Sequence, residues 1–337
     1  MAFLSPDFQI VSDLHLETPI SKPQYETYNL KITASNLLLL GDIGLVKDDG
    51  LFTWLRRCLE QNCGTRIFFV LGNHEPYQLT LDLAVQKLRA FEHVAKTQYG
   101  SRFKFLHRNR YDINRDITIL GCTLWTSIQP SQSAEICNRM TDFNDVRGIQ
   151  NWSLDSALEE HRKDLTWLNE QVLEIEASEP HRRIVVATHH CPTIDLRASD
   201  PAHYGSTVSS AFTSDLSHQP CWTSAAVKMW AFGHTHYSCI FRDDPSGKIV
   251  IANQKGYDTR RLGTKVVEVK DGEWRLACTE SKARNSMDRM ERPGIRQVAE
   301  TRGEDSDLVA RRPCAVTKVQ GKFRRTTKKI FAYCHGS

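Results

Sequence analysis

Five short blocks of the sequence carry side chains that bind divalent metal ions in proteins. In chain order they are Ser12-Asp13-Leu14-His15, Gly41-Asp42, Gly72-Asn73-His74-Glu75, His189-His190 and Gly233-His234-Thr235-His236. Carboxylate, imidazole and amide groups can hold such an ion together, and every block supplies at least one of them. Each block alone occurs by chance in many sequences, but five in one chain favour a metal site assembled from distant segments.

Each block follows a short apolar run that is typical of a buried β-strand. The runs, rich in β-branched residues, are FQIVSD, NLLLLGDI, RIFFVLGN, ITILGCTLW, RRIVVATHH, VKMWAFGH and GKIVIANQ. Helical patterns lie between them, and the clearest runs from Ser153, a candidate N-cap, to about residue 177. Parallel strands with helical crossovers are expected early in the chain, and hairpins through DDPSGK and KDGE near its end. A mixed α/β sheet system is therefore predicted.

The strand positions predict that the five blocks come together. In layered α/β folds, ligands gather at the carboxyl ends of strands. The spacing of Asp13 and His15, and that of His234 and His236, would place each pair on one face of an extended chain. A glycine directly precedes the ligands in three of the blocks, which suits a tight turn close to a bound group.

The composition describes a globular body with a basic extension. Hydrophobic residues make up 40% and charged residues 25% of the 337 residues, close to the averages for soluble proteins. Residues 282–337 contain 14 Lys and Arg against 6 Asp and Glu and show no apolar periodicity. We therefore predict one domain over residues 1–280 and a basic, disordered C-terminal tail over residues 281–337.

Targeting signals and disulfides are not expected. The N-terminus lacks the pattern of a signal peptide and no run is long and apolar enough for a membrane span, so a cytoplasmic protein is predicted. The ten cysteines include no CxxC pair and are expected to be free thiols. The basic tail could contact nucleic acid or acidic membranes, although a solvated extension is the favoured interpretation. The oligomeric state cannot be read from the sequence.

The motifs DLH, GD, GNHE, HH and GHTH, in that order over about residues 8–280, resemble the signature of the calcineurin-like metallophosphoesterase superfamily of metallo-dependent phosphatases. The resemblance implies a four-layer α/β/β/α sandwich, in which two mixed β-sheets pack face to face with helices outside, and a dinuclear metal centre at one edge. It also implies hydrolysis of a small phosphoric ester, a monoester or a diester, by a hydroxide that bridges two metal ions.

The resemblance also implies a role for each matching residue. Asp13, His15 and His236 would hold the first metal, Asn73, His189 and His234 the second, and Asp42 would bridge the two. His74 would stand beside the metals and donate a proton to the leaving oxygen or stabilise the phosphoryl oxygens, with Glu75 or Asp42 available to orient its ring. This ligand set lacks cysteine and suits Mn²⁺, Fe or Zn²⁺.

For five further residues near these motifs the sequence gives less specific predictions. His190 should face away from the metal bound by His189 or shape the pocket wall, because adjacent residues on a strand point to opposite faces. The remaining four, Asn144, Asp145, His203 and Tyr204, could reach substrate from their loops or could only structure those loops.

Two other functions fit the fold that the resemblance implies. A non-catalytic scaffold would be expected to have lost part of the metal site, whereas every ligand position is filled here. A nuclease could use the basic tail, but residues 1–281 contain 30 Lys and Arg against 34 Asp and Glu and no basic stripe with interleaved aromatics. Protein phosphatase, nucleotide phosphodiesterase and lipid-phosphate hydrolase activities stay open, since substrate choice depends on loops without recognisable motifs.

Overall fold

All seven apolar runs form β-strands, and the structure, a computed structural model, contains five further strands. It describes residues 6–257 and 262–277, which belong to one compact unit, Met1–Cys278. The strands are β1 (Asp7–Val11), β2 (Asn36–Leu40), β3 (Arg66–Val70), β4 (Phe103–Leu106), β5 (Asn109–Asp112), β6 (Ile117–Cys122), β7 (Arg183–Thr188), β8 (Val227–Phe232), β9 (Ile240–Arg242), β10 (Ile249–Ala252), β11 (Lys265–Lys270) and β12 (Glu273–Leu276). The helices are α1 (Asp49–Gln61), α2 (Leu81–Tyr99), α3 (Ser133–Arg139), α4 (Leu154–Ser178) and α5 (Pro220–Thr223). The predicted tail over residues 281–337 lies outside the described residues.

The strands form two mixed sheets of six strands each. The first has the order β12-β11-β1-β2-β3-β4, and β1 to β4 run parallel. The second has the order β5-β6-β7-β8-β10-β9, and its four central strands run parallel. The predicted hairpins through DDPSGK and KDGE are the antiparallel pairs β9–β10 and β11–β12. The prediction of mixed sheets is confirmed.

Apolar side chains fill three layers around the two sheets. Along β2, Leu38 and Leu40 point into the layer between the sheets, while Leu37 and Leu39 point to the layer that packs against α1 and α2. A third layer lies between the second sheet and α4. Because successive side chains on a strand alternate between faces, fully apolar strands are what such a sandwich requires. The four-layer α/β/β/α fold is confirmed.

The long helix α4 follows the prediction closely. Ser153 caps its N-terminus, since its side chain accepts a hydrogen bond from Ser156 N. On its buried face, the Asp164 carboxylate accepts from Leu124 N at 2.7 Å and so ties the helix to the end of β6. Beside it, Thr123 joins the sheets, because its Oγ1 donates to Leu71 O at 2.8 Å. These contacts fix the loop on which the histidine pair rests.

Two predictions about the whole chain are tested only over the described residues. Seven cysteines there are free thiols, namely Cys58, Cys63, Cys122, Cys137, Cys191, Cys221 and Cys239. In the same part of the chain, no helix combines the length and the apolar character needed to cross a membrane.

Candidate metal centre

The five blocks lie in the loops that follow β1, β2, β3, β7 and β8, and backbone hydrogen bonds link neighbouring loops. Asp13 N donates to Gly41 O at 3.0 Å, and Gly233 N donates to His189 O at 2.8 Å. The two sheets are also linked there, since His234 N lies 3.1 Å from both carboxylate oxygens of Asp13. The expected convergence at one edge of the sandwich therefore takes place.

Most of the predicted ligands have an unusual backbone conformation. Five of the seven have positive φ, namely Asp13 (55°), His15 (47°), Asp42 (54°), His234 (67°) and His236 (51°). The prediction that the Asp13 and His234 pairs share one face of an extended chain is therefore wrong, because β1 and β8 end before them and left-handed turns direct these side chains. A non-glycine residue in this region costs about 1–3 kcal/mol, and such residues cluster at functional sites.

The first group of side chains consists of Asp13, His15 and His236, whose ligand atoms lie within 4.8 Å of one another. His236 Nε2 is 3.0 Å from His15 Nε2 and 3.4 Å from Asp13 Oδ1. Asp42 Oδ2 lies 4.0 Å from His15 Nε2. Ligand atoms that share one cation at about 2.1 Å are separated by about 3 Å when they occupy neighbouring coordination positions. The spacing of this group suits such a cation.

The second group surrounds His189 Nε2. This nitrogen is 3.0 Å from Asn73 Oδ1, 3.2 Å from His234 Nδ1 and 3.5 Å from Asp42 Oδ1. Asp42 therefore presents one oxygen to each group, as a residue shared between two cations would. It is buried, with 1% of its side chain exposed.

Hydrogen bonds outside the second group fix which atoms face its centre. His189 Nδ1 donates to Leu40 O at 2.8 Å, and His234 Nε2 donates to Ala211 O at 3.2 Å. Asn73 Nδ2 donates to a buried carboxylate oxygen of Asp142 at 2.8 Å. Because these protons point away from the centre, three lone pairs are directed at one another. A cation would satisfy all three.

The protonation of the histidines is consistent with metal binding. Burial lowers the pKa of His15 and of His189 to about 4. Burial also lowers the pKa of His234 well below its usual value. These three rings are therefore neutral at pH 7, which is the form of imidazole that binds metal ions.

His74 stands at the open side of the two groups, with 17% of its side chain exposed. Its Nε2 is 3.8 Å from Asp42 Oδ2, and its backbone N donates to Asp42 Oδ1 at 2.9 Å. Burial lowers the pKa of His74, but the charges of Asp42 and Glu17 outweigh it and raise the pKa to about 10. In the metal-free protein the imidazolium form of the ring, which carries protons on Nδ1 and Nε2, is therefore favoured at neutral pH.

Comparison with known proteins now decides the family. The family model described as calcineurin-like phosphoesterase matches residues 8–238. The chain belongs to the calcineurin-like phosphoesterase family. As a member it is a metal-dependent hydrolase that acts on phosphate esters, and the family resemblance noted in the sequence is confirmed.

Individual relatives of this phosphoesterase are distant. The uncharacterized protein L509 of Acanthamoeba polyphaga mimivirus is 28% identical over 238 residues, which cover 67% of this chain and 79% of that protein. The structure of phosphopantetheinyl hydrolase (PptH) from Mycobacterium tuberculosis covers 75% of this chain and 90% of its own, at 14% identity and a TM-score of 0.53. A dimetal phosphatase from Danio rerio matches at 12% identity and a TM-score of 0.47, over 80% of this chain and 94% of its own.

In this phosphoesterase Glu75 has a different role from the expected one, which was to orient the ring of His74. Both oxygens of Glu75 accept backbone N–H groups, Oε2 those of Asp42 and Gly72 and Oε1 that of Ile43, at 2.8–2.9 Å. Glu75 therefore holds two of the ligand loops together. The Nδ1 atom of His74 instead lies 3.1 Å from Oε1 of Glu17, which follows the DLH motif.

Glu17 and Asp142 are two site residues that sequence reasoning missed. Asp142 accepts hydrogen bonds from Asn73 Nδ2 and, at 2.5 Å, from Tyr77 OH, and so fixes the orientation of the Asn73 amide. Burial raises the pKa of Asp142, and the bonds from Tyr77 and Asn73 oppose that rise. The only sequence signal for Glu17 was a carboxylate two positions after His15 in DLHLE.

Two of the four other loop candidates make hydrogen bonds within their loops. Asn144 Oδ1 accepts from the backbone N–H groups of residues 146 and 147, and Tyr204 OH donates to Leu196 O at 2.7 Å. Asp145 and His203 are exposed. His190 packs behind the ligands, with its ring centroid 4.2 Å from that of His234.

Proposed function

We propose that this phosphoesterase hydrolyses a small phosphate ester with two divalent metal ions held at the edge of its two sheets. Asp13, His15 and His236 would hold the first ion, Asn73, His189 and His234 the second, and Asp42 both. The observation that carries this proposal is the set of three lone pairs around His189 Nε2, which outward hydrogen bonds direct at one point. Mn²⁺, Fe and Zn²⁺ all suit these donors.

Two divalent ions in these positions would polarise a phosphoryl oxygen and lower the pKa of a water molecule held between them. The exposed fractions of the side chains indicate which side of the centre is open. Asp13, His15, Asp42 and His189 have at most 1% of their side chains exposed, whereas His74 has 17% and His236 has 31%. The substrate would therefore approach from the side of His74 and His236.

His74 would act on the substrate directly in this arrangement. Its Nε2 lies on the open side of the two groups and close to Asp42, where the phosphoryl group would bind. The N–H can stabilise charge on a phosphoryl oxygen and can donate its proton to the leaving oxygen. Both roles need the same ring orientation.

A metal and activity assay tests this function. Protein stripped with a chelator is reloaded with Mn²⁺, Fe²⁺ or Zn²⁺, its metal content is measured, and p-nitrophenyl phosphate and bis-p-nitrophenyl phosphate are offered as substrates. We expect two ions per chain and turnover of at least one ester. If no ester is turned over with two ions bound, the scaffold function is favoured instead.

The variant Asp42→Asn sharpens this test. It removes the charge of the residue that faces both groups, so we expect loss of bound metal and of turnover. Asp82→Asn, which changes an exposed carboxylate of α2, is the matched control and should keep both. Two retained ions with normal turnover in Asp42→Asn would contradict the assignment.

A fluorescent fusion of the full chain tests the predicted cytoplasmic localisation.

A further inference from the structure

The carboxylate of Glu17 lies between two histidine rings of the centre. Its Oε1 atom is 3.1 Å from His74 Nδ1 and 3.3 Å from His15 Nδ1. The side chain is 7% exposed, and Oε2 has no hydrogen-bond partner among the residues that the structure describes. One oxygen thus contacts both rings, while the other is buried and unused.

This contact determines which nitrogen of each ring is presented to the centre. A carboxylate oxygen accepts hydrogen bonds, so both Nδ1 atoms carry protons that point at Glu17. The opposite nitrogens, His74 Nε2 and His15 Nε2, then face Asp42 Oδ2 at 3.8 Å and 4.0 Å. The rings meet edge to face, with centroids 4.5 Å apart.

The backbone on both sides of Glu17 is anchored. Leu16 N donates to Ile43 O at 3.0 Å, and the Leu16 side chain is fully buried in the core beside the first sheet. Thr18 N donates to His15 O at 2.9 Å, which closes a turn around Glu17. The backbone that carries the carboxylate is therefore fixed by its own loop.

We propose that Glu17 is a positioning residue of the hydrolytic reaction. One oxygen of its carboxylate aligns His74 with the metal ligand His15. The proposal rests on the function proposed above. A buried carboxylate with an unpaired oxygen destabilises a fold by itself. In this protein the same carboxylate orients two rings, that of His74, which faces the leaving oxygen, and that of His15, which faces the first metal position.

Kinetics at saturating metal test the proposal. Glu17→Gln keeps the shape of the side chain and removes its charge, and we expect kcat to fall about 10- to 100-fold, as is usual when a partner of a metal ligand is replaced. Glu17→Asp keeps the charge and should recover part of this loss. The matched control is Glu26→Gln, an exposed glutamate of the same loop, which should leave kcat unchanged. Wild-type kcat in Glu17→Gln would overturn the proposal.

A double-mutant cycle separates positioning from a general structural effect. Because Glu17 would act partly through His74, Glu17→Gln should lower kcat by a smaller factor in the His74→Asn background than in the wild-type background. An equal loss of kcat in the wild-type and His74→Asn backgrounds would overturn the proposal.

A spectroscopic test needs no turnover. In metal-free protein with ¹⁵N-labelled histidine, the Nδ1 proton of His74, assigned by its absence in His74→Asn, should resonate downfield because it binds a carboxylate. Glu17→Gln should move it upfield, and Glu26→Gln should not. An unchanged resonance in Glu17→Gln would refute the contact. Since this result does not depend on activity, it is distinguishable from a failure of the proposed function.

Discussion

Glu75→Gln is the substitution whose effect follows most directly from the structure. Both oxygens of the fully buried Glu75 carboxylate accept hydrogen bonds from backbone N–H groups. Oε2 accepts from Asp42 N and Gly72 N, and Oε1 accepts from Ile43 N with a longer contact to Gly44 N. A glutamine of the same shape has only one accepting oxygen, and its NH₂ group must face backbone donors.

The cost of this change can be worked out from the two orientations of the amide. In the cheaper one, the NH₂ group replaces Oε1, so Ile43 N loses its acceptor at 2.8 Å and Gly44 N loses one at 3.4 Å. A buried N–H without an acceptor costs about 1–3 kcal/mol, so we expect the free energy of unfolding to fall by roughly 2–5 kcal/mol. The Asp42 and Asn73 loops should also lose metal affinity.

Urea unfolding of the metal-free protein, followed by tryptophan fluorescence, measures this loss without a contribution from bound ions. The matched control is Glu170→Gln, an exposed residue of α4, which should change the free energy by less than about 0.5 kcal/mol. A folded Glu75→Gln protein whose unfolding free energy also changes by less than about 0.5 kcal/mol would refute the role of Glu75.

Three further predictions concern the centre and the tail. His74→Asn should lower kcat by about 10²- to 10⁴-fold while both ions stay bound, and loss of an ion on metal analysis would contradict its non-ligand role. Gly41→Ala should abolish binding of the second ion, because a Cβ there would collide with His189 Nδ1 and lie 2.7 Å from Gly72 Cα; normal metal content would show that the turn adapts. Deleting residues 282–337 should leave hydrolysis of the preferred ester unchanged, and strong cleavage of DNA or RNA by the shortened protein would revive the nuclease alternative.

The apolar runs predicted every interior strand except β11, but none of the four edge strands, of which β9 and β12 were expected only from their hairpin turns. The four edge strands, β4, β5, β9 and β12, are only three or four residues long, and β11 has half-buried charged positions. An edge strand is not covered by neighbours on both sides and needs no continuous apolar run. The apolar pattern that identified β2 and β7 is therefore lacking in these segments.

The candidate site was predictable in its residue types but not in its backbone or its supporting contacts. The order of the five blocks after buried strands was enough to predict that they meet. Asp13 and His15 were expected on an extended chain, yet left-handed turns direct them, and residue spacing alone does not specify such turns. Glu17 and Asp142 act through rings and amides that only tertiary structure brings within reach.

The apolar layer between the sheets has a consequence for how activity can vary. Each proposed ligand set takes side chains from both sheets, so the separation of the sheets sets the distances between ligands. At the strand ends beside the centre this layer contains the small residues Ala187 and Ala231 together with larger ones such as Leu40. Metal–ligand distances tolerate only about 0.2 Å. Evolution can therefore adjust metal preference or rate by exchanging interior methyl groups that touch neither ion nor substrate, and comparisons restricted to active-site residues would overlook such changes.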